Sequence, residues 1–375
     1  MQLQGCWVLN ENFEKEKKNV YIKDGKLTFS KIDGDVLDLT GLTVIPGFID
    51  IHMHGFMGYN PSFATYDELN SMCSELIKVG VTGITPTTTT LPKDALVNAL
   101  KTISHAMENG TDGAEILGIY MEGPYLSQTF KGAMRPGDLR SFSKSEFDEF
   151  LKAADKKIKI MTLAPEIKEN FDGIKVLQEN GVVPSIGHTD ANASKIEEAI
   201  SEGMSNATHL FNAMRGLAHR EPGVVGGILD SGITAELICD GEHINEKVIR
   251  IAYKVLGADR LILISDTMPD AGMPDGNYDF DGQECIIKDG TCRLPNGTLN
   301  GNINSLFECV KRCVQRFGIP FEDAVKCASY NPAKRLGVED RKGSIAEGKD
   351  ADLVVIDDDF NIRFVIKNGI IVCSY

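Results

Sequence analysis

The feature that most constrains the fold is a regular alternation of short β-branched segments and amphipathic helical segments through the middle of the chain. Eight apolar segments recur, at residues 44–51, 81–85, 116–121, 158–163, 182–186, 206–210, 233–239 and 261–265. Most of them are separated by segments whose apolar residues repeat with a helical period. This pattern predicts an α/β fold, a (β/α)8 TIM-like barrel. A doubly wound open sheet is the alternative, but the glycine-rich phosphate loop that would follow its first strand is absent from the sequence.

The two ends of the chain are rich in predicted strands and resemble each other. Asp24-Gly25 and Asn368-Gly369 each separate two short apolar segments, and such dipeptides are typical of tight hairpin turns. We therefore expect both termini to form a small β-sandwich domain, residues 1–46 with 343–375, with the barrel at residues 47–342 between them. An inserted hairpin is predicted near residues 280–295, around Asp289-Gly290.

The amino-acid composition, and above all the net charge, disfavours some classes of binding partner. The 375 residues include 39 Lys and Arg against 54 Asp and Glu, a formal net charge of −15. Such a charge argues against nucleic-acid and anionic membrane partners but leaves room for a small phosphorylated substrate. No segment approaches the roughly 20 apolar residues of a membrane span, and the N-terminus lacks the pattern of a signal peptide. The nine cysteines include no Cys-x-x-Cys pair. We therefore expect reduced thiols and a cytoplasmic protein.

Residues that carry chemistry fall where the predicted barrel strands end, which is where barrels of this class place their active sites. Five of the seven histidines fall there, together with a glutamate and an aspartate: His52, His54, His188, His209, His243, Glu122 and Asp266. Side chains two apart in a strand point the same way, so His52 and His54 can converge. Imidazoles and carboxylates are the usual ligands of Zn²⁺ and related ions, so the sequence predicts a divalent-cation site at the mouth of the barrel.

Two further side chains suit particular roles. Asp266 is the predicted general base, because a carboxylate beside an acidified water can accept its proton and pass it to a leaving group. A metal ligand or a helix cap is the alternative for this residue. Arg220 can bind a phosphate through its planar guanidinium, with a surface ion pair as the alternative.

Several motifs together resemble the amidohydrolase superfamily, and within it the deacetylases of phosphorylated N-acetylhexosamines. They are PGFIDIHMHG (46–55), MEGPY (121–125), GHTDA (187–191), THLFNAM (208–214), REPG (220–223), DGEH (240–243), SDTMPDAG (265–272), NPAKRLG (331–337) and GSIAEGKDADLVV (343–355). The resemblance implies one or two divalent cations per subunit, zinc or iron, and a homodimer. It implies hydrolysis of N-acetyl-D-glucosamine 6-phosphate to D-glucosamine 6-phosphate and acetate.

The resemblance also implies roles for individual residues. The core metal ligands would be Glu122, His188 and His209, and His52 with His54 would hold a second ion. Asp266 would be the catalytic acid and base. The substrate would be bound by Ala133, Asn212, Ala213, Arg220, His243, Leu299, Asn300 and Gly301. Arg220 would meet the phosphate, reaching in from a neighbouring subunit.

The sequence departs from the family pattern in three motifs. Met134 stands where the family commonly has histidine, Thr267 where it has alanine, and Leu299-Asn300-Gly301-Asn302 where it has Leu-Ala-Gly-Ser. Because we expect the changes at Met134 and Asn302 to alter the sugar pocket, N-acetylgalactosamine 6-phosphate is the alternative substrate. A cyclic-amide hydrolase or a deaminase is disfavoured, since those enzymes usually carry a carbamylated lysine on strand four, where this chain has only Lys159 near the strand start. A non-catalytic scaffold is disfavoured because no predicted ligand is missing.

Overall fold

The computed structural model describes residues 1–280, 283–288, 290–295, 297, 299 and 301–375. Its strands are β1 (Gln2–Gln4), β2 (Trp7–Leu9), β3 (Lys15–Lys17), β4 (Val20–Lys23), β5 (Lys26–Thr28), β6 (Val36–Asp38), β7 (Thr43–Pro46), β8 (Phe48–Met53), β9 (Val81–Thr88), β10 (Glu115–Ile116), β11 (Ile119–Glu122), β12 (Ile158–Leu163), β13 (Val183–Ile186), β14 (Asn206–Ala207), β15 (Thr234–Ile238), β16 (Leu261–Ile264), β17 (Gly276–Phe280), β18 (Gln283–Lys288), β19 (Thr291–Arg293), β20 (Leu353–Ile356), β21 (Ile362–Lys367) and β22 (Ile370–Ser374). Its α-helices are α1 (Tyr66–Lys78), α2 (Lys93–Asn109), α3 (Lys144–Ala153), α4 (Lys168–Glu179), α5 (Ala193–Ser201), α6 (Gly223–Asp230), α7 (Glu246–Arg260), α8 (Leu306–Gln315), α9 (Phe321–Ala328) and α10 (Tyr330–Leu336).

A parallel sheet curls into a nearly closed barrel in the middle of the chain. Its strands follow the order β8, β9, β11, β12, β13, β14, β15, β16, with β10 also paired to β9. Hydrogen bonds bring the last strand beside the first: the Ser265 amide donates to Asp50 Oδ1 at 3.2 Å, and the Asp266 amide donates to the His52 carbonyl at 2.9 Å. The predicted (β/α)8 barrel is therefore confirmed.

Helices cover the barrel because each buries an apolar stripe against the strands. Helix α1 shows how the sequence starts such a helix: the Thr65 hydroxyl accepts from the Glu68 amide, and the Glu68 carboxylate accepts from the Thr65 amide at 2.8 Å. This reciprocal pair satisfies amide groups that the first turn leaves open. Among the described residues, no helix is both long enough and apolar enough to cross a bilayer.

The end of the barrel where strands begin is filled with apolar side chains. Ile49, Ile160 and Ile262 pack there against Ala333 and Leu336 of helix α10. This apolar plug leaves the opposite end, where strands finish, as the open mouth. Polar side chains that follow the strands therefore have access to ligands only at that mouth.

The termini form two further sheets, β5-β4-β1-β6 and β22-β21-β20-β7-β2-β3, with a hydrophobic core of their own. Strand β20 lies antiparallel to β7, which joins the two ends of the chain. Both predicted hairpins are present, and their turn residues have positive φ: 52° and 75° at Asp24 and Gly25, 49° and 79° at Asn368 and Gly369. These sheets support, as a proposal, the division into residues 1–46 with 343–375 and residues 47–342.

One expectation needs correction, and a second needs extension. The apolar segment 44–51 is two strands: β7 belongs to a terminal sheet and β8 to the barrel, and they are separated at Gly47. A Cβ at Gly47 would lie 2.3 Å from Thr82 Cγ2, so the close approach there requires glycine. The hairpin predicted near residues 280–295 is present as β18 and β19, and β17 joins it to form a three-stranded antiparallel sheet; its turn residue Asp289 lies outside the described residues.

Candidate active site

A cavity of about 280 Å³ opens at the mouth of the barrel. Most of the residues singled out from the sequence line it: His54, Glu122, Ala133, His188, His209, Asn212, Ala213, His243, Asp266, Leu299 and Gly301. His52 is fully buried next to this group. Loops from different strands thus bring distant parts of the chain to one place, as the barrel geometry requires.

Glu122, at the end of β11, lies at the centre of the polar cluster. Its Oε1 is 2.9 Å from His188 Nε2 and 2.7 Å from His209 Nε2, and these two nitrogens are 3.1 Å apart. Its Oε2 is 2.9 Å from His54 Nε2, which in turn is 3.3 Å from His52 Nε2. One carboxylate therefore faces two separate pairs of imidazoles.

Hydrogen bonds on the far side of two rings fix their orientation. His188 Nδ1 donates to the Phe130 carbonyl at 2.9 Å, and His52 Nδ1 donates to Glu236 Oε2 at 2.9 Å. Each bond leaves the Nε2 lone pair directed into the cluster. Glu236 was not among the residues singled out from the sequence. The available signal was a carboxylate between the apolar residues Ala235 and Leu237 of strand β15.

The cluster suits a divalent cation by the chemistry of its donors. Two imidazole nitrogens and a carboxylate oxygen converge from three strands, and this is the ligand set of many catalytic zinc sites. Burial by itself raises the pKa of Glu122, but the charges and hydrogen bonds of the surrounding imidazoles outweigh it and lower that pKa well below its ordinary value. The central carboxylate is therefore held in its ionised, ligating form.

Three residues of the site have left-handed backbone conformations, which are unfavourable for residues with a Cβ. The φ angles are 47° at His188, 29° at His209 and 51° at Asp266. Such conformations cost on the order of 1–3 kcal/mol each and persist where the surroundings enforce them. Strain at three strand ends around one cavity supports a functional role for these residues.

Asp266 follows β16 and keeps one side in the cavity. Its Oδ1 is 3.5 Å from His54 Nε2 and 3.6 Å from His52 Nε2, and 16% of its side chain is exposed. A carboxylate in this position is next to the cation cluster and also accessible to a ligand. It can therefore exchange protons with whatever the cavity binds.

His243 is oriented by a carboxylate on the same loop. Asp240 Oδ2 lies 2.6 Å from His243 Nδ1, while Asp240 Oδ1 accepts from the Glu242 and His243 amides at 2.9 Å. Burial lowers the pKa of His243, but the hydrogen bond and charge of Asp240 outweigh it, so the pKa is raised. This arrangement leaves the other ring nitrogen for a ligand.

Several residues from the sequence analysis are placed elsewhere. Arg220 is exposed and does not line the cavity of its own chain, and Asn300 lies outside the described residues.

Met134 lines the cavity, and its sulfur atom accepts a hydrogen bond from the Thr89 hydroxyl at 3.0 Å. Asn302 does not line the cavity. Its side-chain Nδ2 donates to the Ser265 carbonyl at 2.8 Å. Arg135, which the sequence analysis did not select, lines the cavity and brings a positive charge to it.

The described geometry can be compared with known proteins. The model of the amidohydrolase family matches residues 43–372. The chain is 36% identical to the N-acetylglucosamine-6-phosphate deacetylase of Lysinibacillus sphaericus, over 98% of this chain and 96% of that protein. It is 32% identical to the N-acetylgalactosamine-6-phosphate deacetylase of Escherichia coli O157:H7, over 96% of each.

A solved structure is similar over nearly its whole length. It is a mutant N-acetyl-D-glucosamine-6-phosphate deacetylase from Mycobacterium smegmatis in complex with N-acetyl-D-glucosamine 6-phosphate. The TM-score is 0.93 at 30% identity, and the match covers 100% of this chain and 99% of that one. The chain therefore belongs to the amidohydrolase family, and within it to the family of the N-acetylglucosamine-6-phosphate deacetylases.

Proposed function

We propose that this chain hydrolyses the acetamide of N-acetyl-D-glucosamine 6-phosphate, releasing acetate and D-glucosamine 6-phosphate. The observation that carries the proposal is the convergence of Glu122 and four imidazoles beside Asp266, at the floor of a cavity. The names of the relatives supply the substrate class.

The cluster is proposed to hold a divalent cation, zinc or iron(II). Glu122, His188 and His209 would bind it, and His52 with His54 would offer a place for a second. When bound, such a cation polarises a carbonyl oxygen and makes a nearby water more acidic.

Asp266 is the proposed catalytic acid and base. Its carboxylate takes a proton from the attacking water as the water oxygen bonds to the acetyl carbon. The same proton then passes to the amine nitrogen as the carbon–nitrogen bond breaks. The second proton of the water passes from the nascent acetic acid to the amine, so the products are acetate and the protonated amino sugar, and atoms and charges balance without any further reactant. His243, held by Asp240, is placed to donate a hydrogen bond to the substrate.

The rest of the cavity is proposed to bind the sugar. Ala133, Asn212, Ala213, Leu299 and Gly301 form its walls. Because Arg220 is exposed and outside this cavity, we propose a homodimer in which Arg220 of a second copy of the chain meets the phosphate. None of the nine cysteines, all of them described by the structure, is joined in a disulfide, which supports a reducing compartment such as the cytoplasm.

N-acetylgalactosamine 6-phosphate is the second candidate substrate. A relative that carries this name matches 96% of the chain, and Met134 contributes a thioether to the wall of the cavity. The two sugars differ only in the configuration of one hydroxyl, so the ratio of kcat/KM on the two phosphates decides between them.

Acetate release by purified, metal-loaded protein tests the proposal. Asp266→Asn should lower kcat by roughly 10²–10⁴-fold while the bound cation is retained. The matched control is Asp358→Asn, at an exposed aspartate, which should keep full activity. Absence of acetate release from both sugars, or undiminished turnover by Asp266→Asn, would reject the mechanism.

A further inference from the structure

A second group of metal-ligating side chains lies outside the histidine cluster. Asp270, Cys285 and Cys292 place a carboxylate oxygen and two sulfur atoms within 4.8 Å of one another. All three residues are almost completely buried, with exposed fractions of 0%, 1% and 0%. Asp270 belongs to the SDTMPDAG motif, but the proposed deacetylase chemistry uses none of the three residues.

The register of the three-stranded sheet explains why the two sulfur atoms meet. Cys292 of β19 pairs with Ile287 of β18, and Cys285 lies two residues before Ile287. Side chains two apart in a strand share one face, so both thiols point to the same side of the sheet. That side packs on the loop after β16, where Asp270 is found.

The hydrogen bonds of the described residues satisfy Asp270 only in part. Its Oδ1 is buried without a partner, while its carboxyl group accepts from Cys285 Sγ at 3.7 Å and also hydrogen-bonds with the Cys292 thiol. An unpartnered buried carboxyl oxygen costs stability unless another group meets it. Burial raises the pKa of Asp270 and raises that of Cys285 to about 11, so the Cys285 thiol is protonated in the absence of a cation.

We propose that Asp270, Cys285 and Cys292 bind a thiophilic divalent cation of the Zn²⁺ class, at a site separate from the histidine cluster. Binding would displace the two thiol protons to solvent. Two thiolates and a carboxylate favour zinc over the oxygen-preferring Mg²⁺ and Ca²⁺. Because Asp270 also lines the cavity, a water from the cavity can complete a tetrahedral set.

The contents of the cluster favour a cation over a disulfide. A buried carboxyl group contributes nothing to a disulfide, and its negative charge opposes formation of the attacking thiolate. In a cation site the same carboxyl group is a ligand. The bound ion would connect β18 and β19 to the loop that carries Asp266. Arg293 and Leu299 form a neighbouring antiparallel β-bridge, and the ion would hold this bridge in place as well. Leu299 is the member of the pair that lines the cavity.

Cobalt spectroscopy on the full chain tests the proposal. Only cysteine ligands give a thiolate-to-cobalt charge-transfer band, so the histidine cluster does not contribute to it. Chelator-treated protein titrated with Co²⁺ should develop the band, and Zn²⁺ should abolish it by displacement. Cys285→Ser/Cys292→Ser should lack the band, and Asp270→Asn should bind Co²⁺ at least roughly 10–100-fold more weakly. The matched control, Cys373→Ser, should behave as the unmodified protein.

Thiol labelling of the unmodified protein gives a second readout that needs no variant to fold. Zn²⁺ should protect Cys285 and Cys292 from alkylation and leave Cys373 unprotected. A protein with reduced thiols but no charge-transfer band and no protection would overturn the proposal. So would purification with Cys285 and Cys292 joined as a disulfide. Neither readout uses acetate release, so failure of the cysteine-site proposal would leave the proposed deacetylase function untouched.

Discussion

Replacing Glu236 by alanine tests whether a carboxylate behind the site holds His52 in its ligating form. Glu236 is fully buried. Its Oε2 is 2.9 Å from His52 Nδ1, and its Oε1 accepts from Asn206 Nδ2 at 2.7 Å and from the Tyr120 hydroxyl at 3.1 Å. The variant removes all three acceptor contacts at once.

The expected loss of stability depends on which acceptors remain for each hydrogen-bond donor after the substitution. The Asn206 amide keeps Ser185 Oγ at 3.0 Å, and the Tyr120 hydroxyl keeps Thr208 Oγ1 at 2.8 Å. His52 Nδ1 and the second N–H of the Asn206 amide would each lose a hydrogen-bond partner, which costs about 1–3 kcal/mol for each buried donor. The removed methylene and the cavity add about 1 kcal/mol, for a total of about 3–7 kcal/mol. The freed imidazole should also weaken cation binding by roughly 10–100-fold.

Urea unfolding of chelator-treated protein measures the first effect, and titration with Zn²⁺ measures the second. Glu236→Gln is the matched variant, since its amide oxygen can still accept from His52, and it should recover more than half of both losses. Glu242→Ala removes an exposed carboxylate from the following loop and should change neither quantity. If Glu236→Ala unfolds within about 0.5 kcal/mol of the unmodified protein and binds Zn²⁺ equally well, the reasoning is wrong.

Three further predictions address other parts of the molecule. Partial burial raises the pKa of Glu115, but the Arg341 hydrogen bond and nearby lysine charges outweigh it and lower that pKa to about 2. The free energy of unfolding should therefore fall by about 1–2 kcal/mol as the pH drops from about 4.5 to 2. Glu115→Gln should flatten this pH dependence in acid unfolding. Asp240→Asn should lower the His243 pKa in an NMR titration and reduce kcat/KM by roughly 10–100-fold, and an unchanged pKa would contradict the assigned orientation. Gly47→Ala should destabilise by about 1–3 kcal/mol in urea, because its Cβ would lie 2.3 Å from a threonine side chain of β9; a neutral result would show that the backbone there can shift.

The barrel and the convergence of its polar residues were predictable because both follow from periodicity. Parallel strands finish on one face, so residues as distant as His52 and Asp266 had to be neighbours once the alternation was recognised. The two Asx-Gly hairpins were predictable from local chemistry, since those dipeptides adopt positive φ at little cost.

Features that depend on tertiary partners were not predictable in the same way. One apolar segment serves two sheets, and only the contact of Gly47 with Thr82 shows where it divides. The predicted hairpin β18–β19 is present, but its third strand, β17, was not predictable, because its pairing depends on a segment outside the hairpin. The exposed position of Arg220 depends on the course of its loop, which no residue pattern specifies.

The most direct test of the account is anomalous X-ray diffraction from crystals of zinc-loaded protein, recorded at the zinc absorption edge. The account predicts a peak in contact with Glu122 Oε1, His188 Nε2 and His209 Nε2, in protein that releases acetate. A catalytically active crystal form with no peak at these three atoms, at full zinc loading, would contradict it.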